Sequence, residues 1–109
     1  MPRDYLLVMN TCPTVEAAQK LALLLVENNL AACVNIIPGL TSIYRWQGKL
    51  NTDQEVLLLI KSTAEHYAAM EKLLRDNHPY ELPEIIAVPV ARGLPEYLDW
   101  ISHTMGTAQ

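Results

Sequence analysis

Apolar positions recur along this chain with two periods. From Val15 to Asn28 the residues Ala18, Leu21, Ala22, Leu25 and Val26 follow the i, i+3, i+4, i+7, i+8 spacing of an amphipathic helix. Pro13 suits the start of that helix. Asn28-Asn29 suits its end, because Asn tolerates the left-handed conformation. Before it, Tyr5-Leu6-Leu7-Val8-Met9 reads as a short strand. Further on, Ser62-Thr63-Ala64-Glu65 has the form of a capping box, with Ser62 as N-cap. The spacing predicts a helix from there to about Asn77, with Tyr67, Met70, Leu73 and Leu74 as its apolar stripe. Pro79 and Pro83 force an extended link. Ile85 to Val90 is then a final strand, and Gly93 and Pro95 introduce a short helix from about Glu96 to His103. The tail from Met105 onward is expected to fray.

The central stretch, Ala31 to Ser62, carries two strand-like runs on either side of Gln47-Gly48. A two-residue connection containing Gly predicts a tight hairpin turn. Extended, each arm reaches about 40 Å at about 3.3 Å per residue. A chain of this size has a radius of gyration of only about 13 Å. Part of the hairpin therefore protrudes, and its unpaired backbone groups invite another chain. Pro38-Gly39 interrupts the first arm and predicts an edge strand with a bend or bulge.

The resulting order, β-α-β-β-α-β plus one helix, is the α+β ferredoxin-like pattern. The prolines agree with it: Pro38 and Pro89 fall in the second and fourth strands, which lie at the edges in this arrangement. Leu6 to Met9 and Val56 to Ile60, on the central strands, are apolar on both faces. The helices cover one face, so the other needs a cover too. The short last helix is all that remains of the chain for that task, and a neighbouring subunit is the economical answer.

With 109 residues, a single domain over 1–109 is expected. Charged residues make up 18% and apolar residues 50%, which excludes a disordered chain. The net charge of −4 argues against a nucleic-acid partner. No apolar run approaches a membrane span, and MPRDYLLVMN lacks the features of a signal peptide. Cys12 and Cys33 form no CxxC pair, so reduced thiols in the cytoplasm are expected.

The stretches AACVNIIPGLTSIYRWQGKL, VLLLIKST, HPYELPEIIAVPV and YLDWI, in this order, resemble the CutA1 family, the divalent-cation tolerance proteins. The resemblance runs from about Leu6 to Ile101. It implies a ferredoxin-like protomer with an extended hairpin, a PII-like homotrimer in which the hairpin arms pair between subunits, and a cytoplasmic location. It implies no enzymatic activity, and a role in tolerance of divalent metal ions with copper as the candidate.

Copper binding in the family is ascribed to a Cys near the end of the first strand and to a His-His pair before Pro-Tyr. Asn10 and Asn77 stand at the Cys and the first His position here, leaving His78 as the candidate metal ligand. One imidazole is a poor site, since soft metals want Cys or His in pairs or threes. The alternative is that His78 ends a helix and hydrogen-bonds a last-turn carbonyl.

A second candidate is a ligand cleft formed by Cys33, Asn35, Tyr44, Trp46, Lys61 and Glu84, which the resemblance places between subunits. Such groups suit a small anion or nucleotide-like ligand. The alternative makes Tyr44 and Trp46 packing anchors of a trimer and Lys61 and Glu84 an interstrand ion pair. Catalysis has little support: Cys33 sits in an apolar strand with no partner placed to activate it, and the acidic residues read as scattered over helix faces and turns. The leading expectation is a protein that responds to divalent metal ions and has no resident cofactor other than copper or a similar cation. The alternatives are a PII-like sensor of a small molecule and a structural docking platform.

Overall fold

The computed structural model describes residues 5–106. Strand β1 (Tyr5–Cys12) leads into helix α1 (Val15–Glu27), strands β2 (Cys33–Trp46) and β3 (Lys49–Thr63), helix α2 (Tyr67–Asn77), strand β4 (Ile85–Pro89) and helix α3 (Pro95–Met105). The strands form one antiparallel sheet in the order β2-β3-β1-β4. This is the ferredoxin-like arrangement, and the proline-bearing strands lie at its two edges.

The local rules account for most element ends. Thr14 caps α1, its hydroxyl accepting from the Ala17 N–H at 3.1 Å. At the other end Asn29 takes φ 57°, and the N–H groups of Asn29 and Leu30 return to the carbonyls of Val26 and Leu25, a complete Schellman closure. Gln47 and Gly48, at φ 51° and 82°, form the two-residue turn between β2 and β3. Pro38-Gly39 produces the expected irregularity, a register shift between Ile37 and Leu40 with Gly39 at φ 87°.

Three expectations need correction. β1 runs on to Cys12, further than its apolar run suggested. Ser62 caps nothing: β3 continues to Thr63, a single 3-10 turn (Ala64–His66) follows, and the Ser62 hydroxyl donates to the Leu30 carbonyl at 2.9 Å. The fully buried Ser62 hydroxyl takes the carbonyl that follows α1 in place of a helix end. Finally, α3 is longer than expected, and Met105 is buried with Ile101 against Ala32. Positions 107–109 of the tail lie outside the described residues.

Helices α1 and α2 pack on one face of the sheet. Ala18, Leu21 and Leu25 meet Met70 and Leu74 over Val8, Cys12, Val56, Leu58 and Ile60. The register puts Leu7, Met9, Leu57, Leu59, Ile86 and Val88 on the opposite face. Helix α3 covers only one end of it, where the hydroxyls of Tyr5 and Ser102 meet at 2.5 Å. The rest is half-buried or exposed, with Ile37, Ile86 and Val88 open to solvent. The hairpin extends well beyond this body, giving a long axis of 46 Å against a radius of gyration of 14.5 Å.

Candidate functional site

At the root of the hairpin, between β2-β3 and the link that precedes β4, lies a cleft of about 600 Å³. Its walls include Tyr44, Trp46 and Tyr80 with Glu55, Glu81 and Glu84. Alternation along β2 puts Tyr44 and Trp46 on one face, opposite Asn51 and Lys49 of β3. The Tyr44 hydroxyl donates to Asp53 Oδ2 at 2.5 Å, and the Tyr80 hydroxyl donates to Glu55 Oε2 at 2.6 Å. Both phenols are held above their usual pKa. The cause is first the hydrogen bond to Asp53 for Tyr44, and first burial, then Glu55, for Tyr80. Glu84 is positioned through its backbone, its carbonyl accepting from the buried Asn10 amide at 2.8 Å.

Of the six residues expected to share a cleft, three meet here: Tyr44, Trp46 and Glu84. The others sit at the far end of the sheet. Lys61 is the cross-strand partner of Cys33, and its ammonium donates to the Asn35 side-chain oxygen. Asn35 lies roughly 25–30 Å along β2 from Tyr44. The Lys61–Glu84 ion pair is therefore not formed, and no lysine, arginine or histidine lines the cleft among the described residues. The anion expectation loses its only counter-charge within the protomer.

Glu55 and Tyr80 were not singled out from sequence. Glu55 does not lie on a helix face or turn, as the scattered acidic residues were read. It is on β3, 9% exposed, under the Tyr80 hydroxyl. The signal available was a carboxylate in phase with Leu57 and Leu59 at the start of an apolar run.

His78 lies just behind the cleft, its ring 5.0 Å from that of Tyr80. It does not bond a last-turn helix carbonyl. Its Nε2 bonds the Thr11 carbonyl at 2.9 Å, and its Nδ1 accepts the Tyr80 N–H at 3.1 Å. Since a carbonyl only accepts, this geometry fixes the neutral tautomer with the proton on Nε2. Burial pulls the imidazole below its usual pKa, against the opposing effects of the Thr11 carbonyl and Glu55. Cys12 Sγ lies 3.7 Å from Nε2 and 3.6 Å from Asn10 Oδ1, fully buried. Burial, helped by Glu55, pushes its thiol up to about 11. That is the reverse of an activated nucleophile.

The family model described as CutA1 divalent ion tolerance protein matches residues 6–104. The chain belongs to the CutA1 family. Among CutA1 relatives, the divalent-cation tolerance protein CutA of Thermus thermophilus is 52% identical over 99 residues, 91% of this chain and 96% of that protein. Protein CutA of Mus musculus is 48% identical over 91 residues, 84% of this chain but 51% of its own length, so the chain spans about half of that relative. The solved structure of the divalent cation tolerance protein (Cut A1) from Thermus thermophilus matches with a TM-score of 0.91 at 50% identity. It covers 94% of this chain and 99% of its own.

The copper ligands that CutA1 membership suggests do not fit the residues present. Asn10 and Asn77 spend their amides on the carbonyls of Glu84 and Leu73. Neutral amide oxygens do not replace thiolate or imidazole for copper. Among the described residues no group of three or more His, Cys, Asp or Glu side chains is arranged to hold a metal ion. No helix among them is long and apolar enough to cross a membrane.

Proposed function

We propose that this CutA1 protein acts as a cytoplasmic homotrimer in the tolerance of divalent metal ions, with no tight copper site in the protomer. The observation that carries the tolerance role is the family match over residues 6–104. The assembly is supported by the second sheet face, where Ile37, Ile86 and Val88 are exposed beside half-buried Leu57 and Leu59. Apolar surface on this scale marks an interface. Two free cysteines favour a reducing compartment.

The test has three arms. Cells lacking the protein should become sensitive to copper, and the parent chain should restore growth. Calorimetry on the metal-free protein should show no tight Cu²⁺ binding, because both ring nitrogens of His78 are already taken by Thr11 and Tyr80. Light scattering should give three times the protomer mass. Restoration of tolerance by a monomeric variant would separate the assembly from the function and refute the trimer as its working form.

A second reading is favoured by the cleft at the hairpin root. A cavity of about 600 Å³ with three aromatic walls suits a small-molecule ligand, so the trimer acts as a sensor. A thermal-shift screen of small molecules against the parent and Trp46→Leu tests it.

A further inference from the structure

We propose that the cleft at the hairpin root binds a small organic cation, an aliphatic amine or quaternary ammonium. This rests on the sensor reading above and names the chemical class of its ligand. The first observation is the composition of the walls. Tyr44, Trp46 and Tyr80 present aromatic rings, Glu55, Glu81 and Glu84 carry the charge, and no cationic side chain of the described residues lines the space. Aromatic faces attract cations through the ring quadrupole, and weakly hydrated organic ammonium groups are the usual beneficiaries.

The second observation concerns Glu55. Its carboxylate is 9% exposed and holds the Tyr80 hydroxyl, yet no lysine or arginine among the described residues pairs with it. A buried carboxylate without a counter-ion is costly, so a cation entering the cleft recovers an interaction that the protomer leaves open. The third observation is that the hydroxyls of Tyr44 and Tyr80 already donate, to Asp53 and Glu55. Their protons are not available to an anion, and both rings are fixed by these bonds. A nucleotide or phosphate would meet carboxylates where it needs donors.

The experiment uses the intact protein, metal-free in the presence of chelator. Trp46 and Trp100 are its two tryptophans, so Trp100→Phe leaves Trp46 as the reporter. Tetramethylammonium and putrescine are titrated by calorimetry and tryptophan fluorescence, with phosphate, AMP and Mg²⁺ as matched-ionic-strength comparisons. The two organic cations are expected to bind and to change Trp46 emission. Glu55→Gln, which keeps an acceptor for Tyr80, is expected to weaken them at least tenfold, and Trp46→Leu in the Trp100-containing protein likewise by calorimetry. Light scattering confirms that both variants keep the parent's mass. Binding that is indifferent to both substitutions overturns the proposal, as does dissociation of the assembly by Glu55→Gln, which would mark Glu55 as the seat of a second copy's cation. Binding of AMP or phosphate in the cleft without the organic cations leaves the sensor reading standing and removes the ligand class. Silence of every probe removes both.

Discussion

The imidazole of His78 and the thiol of Cys12 lie side by side, Nε2 to Sγ 3.7 Å, each held in its uncharged form. His78 is locked neutral by the Thr11 carbonyl on one nitrogen and the Tyr80 N–H on the other. Cys12 is locked as a thiol by burial. A pair of soft ligands is present, but both are committed to structure. Protonating the ring would add a charge beside a dry core and cost Nδ1 its role as acceptor.

Stability should therefore depend on His78 at mildly acid pH. Its folded pKa lies below that of the unfolded chain, near the usual value of about 6.5. Above that pH neither state binds the proton, and the neutral imidazole contributes fully. As pH falls through about 6.5 the unfolded chain takes up a proton that the folded ring resists, so stability is lost until the folded pKa is passed. Urea midpoints for the parent should fall between about pH 7.5 and about pH 5.5. The fall should be smaller in His78→Gln. Identical slopes would show that His78 titrates normally.

The thiols should react very unequally. With its pKa near 11, Cys12 is a thiolate in only about one molecule in a thousand at about pH 8, and it is fully buried. Cys33 is half-buried beside Tyr97 at the start of β2. An alkylating reagent under native conditions should modify Cys33 first, with Cys12 following at the rate of unfolding. Mass spectrometry of peptides over a time course measures both, and prompt labelling of Cys12 would contradict the buried site.

Local grammar was the legible part of this fold. Gln47-Gly48, Pro38-Gly39, Asn28-Asn29 and the two edge prolines act within a few residues of themselves, and each did what its chemistry dictates. The site was half legible. Tyr44 and Trp46 share a face because strands alternate. Glu84 joins them only because the chain folds back across β1, where Asn10 holds its carbonyl. Lys61 meets Cys33 and Asn35 as the strand ends suggested, but the register carries all three to the opposite end of a very long strand from Tyr44 and Trp46 within one protomer. Glu55 left one short-range sign, its phase with Leu57 and Leu59, whereas its bond to Tyr80 and the Cys12–His78 contact depend on long-range packing.

Leu58 and Leu59 should separate folding from assembly. Leu58 is fully buried beneath the helices, whereas Leu59 is half-buried on the second face. Leu58→Ala should cost about 2–5 kcal/mol, with no change in oligomer mass while the protein remains folded. Leu59→Lys should leave the protomer's helix-side core intact and dissociate the proposed trimer, so that the melting temperature depends on concentration in the parent but not in the variant. A trimeric Leu59→Lys of parental stability would mean that this face is not the interface.

The last prediction concerns Thr63 and His66, which close the step from β3 into α2. Thr63 Oγ1 and His66 Nδ1 lie 2.6 Å apart and both side chains are buried, while Nε2 of His66 has no hydrogen-bond partner among the described residues. Removing one member strands the other. Thr63→Val leaves the imidazole with both nitrogens unmatched, and His66→Leu leaves a buried hydroxyl, each at about 1–3 kcal/mol. The double variant removes the hydroxyl and the whole imidazole together, including the orphan nitrogen, and replaces them with apolar groups. It should be less destabilised than the sum of the singles, by a coupling of about 0.5–3 kcal/mol. Chemical denaturation of the four proteins in the cycle measures this directly. Strict additivity would show that the short contact contributes nothing, and that the turn is held by its backbone alone.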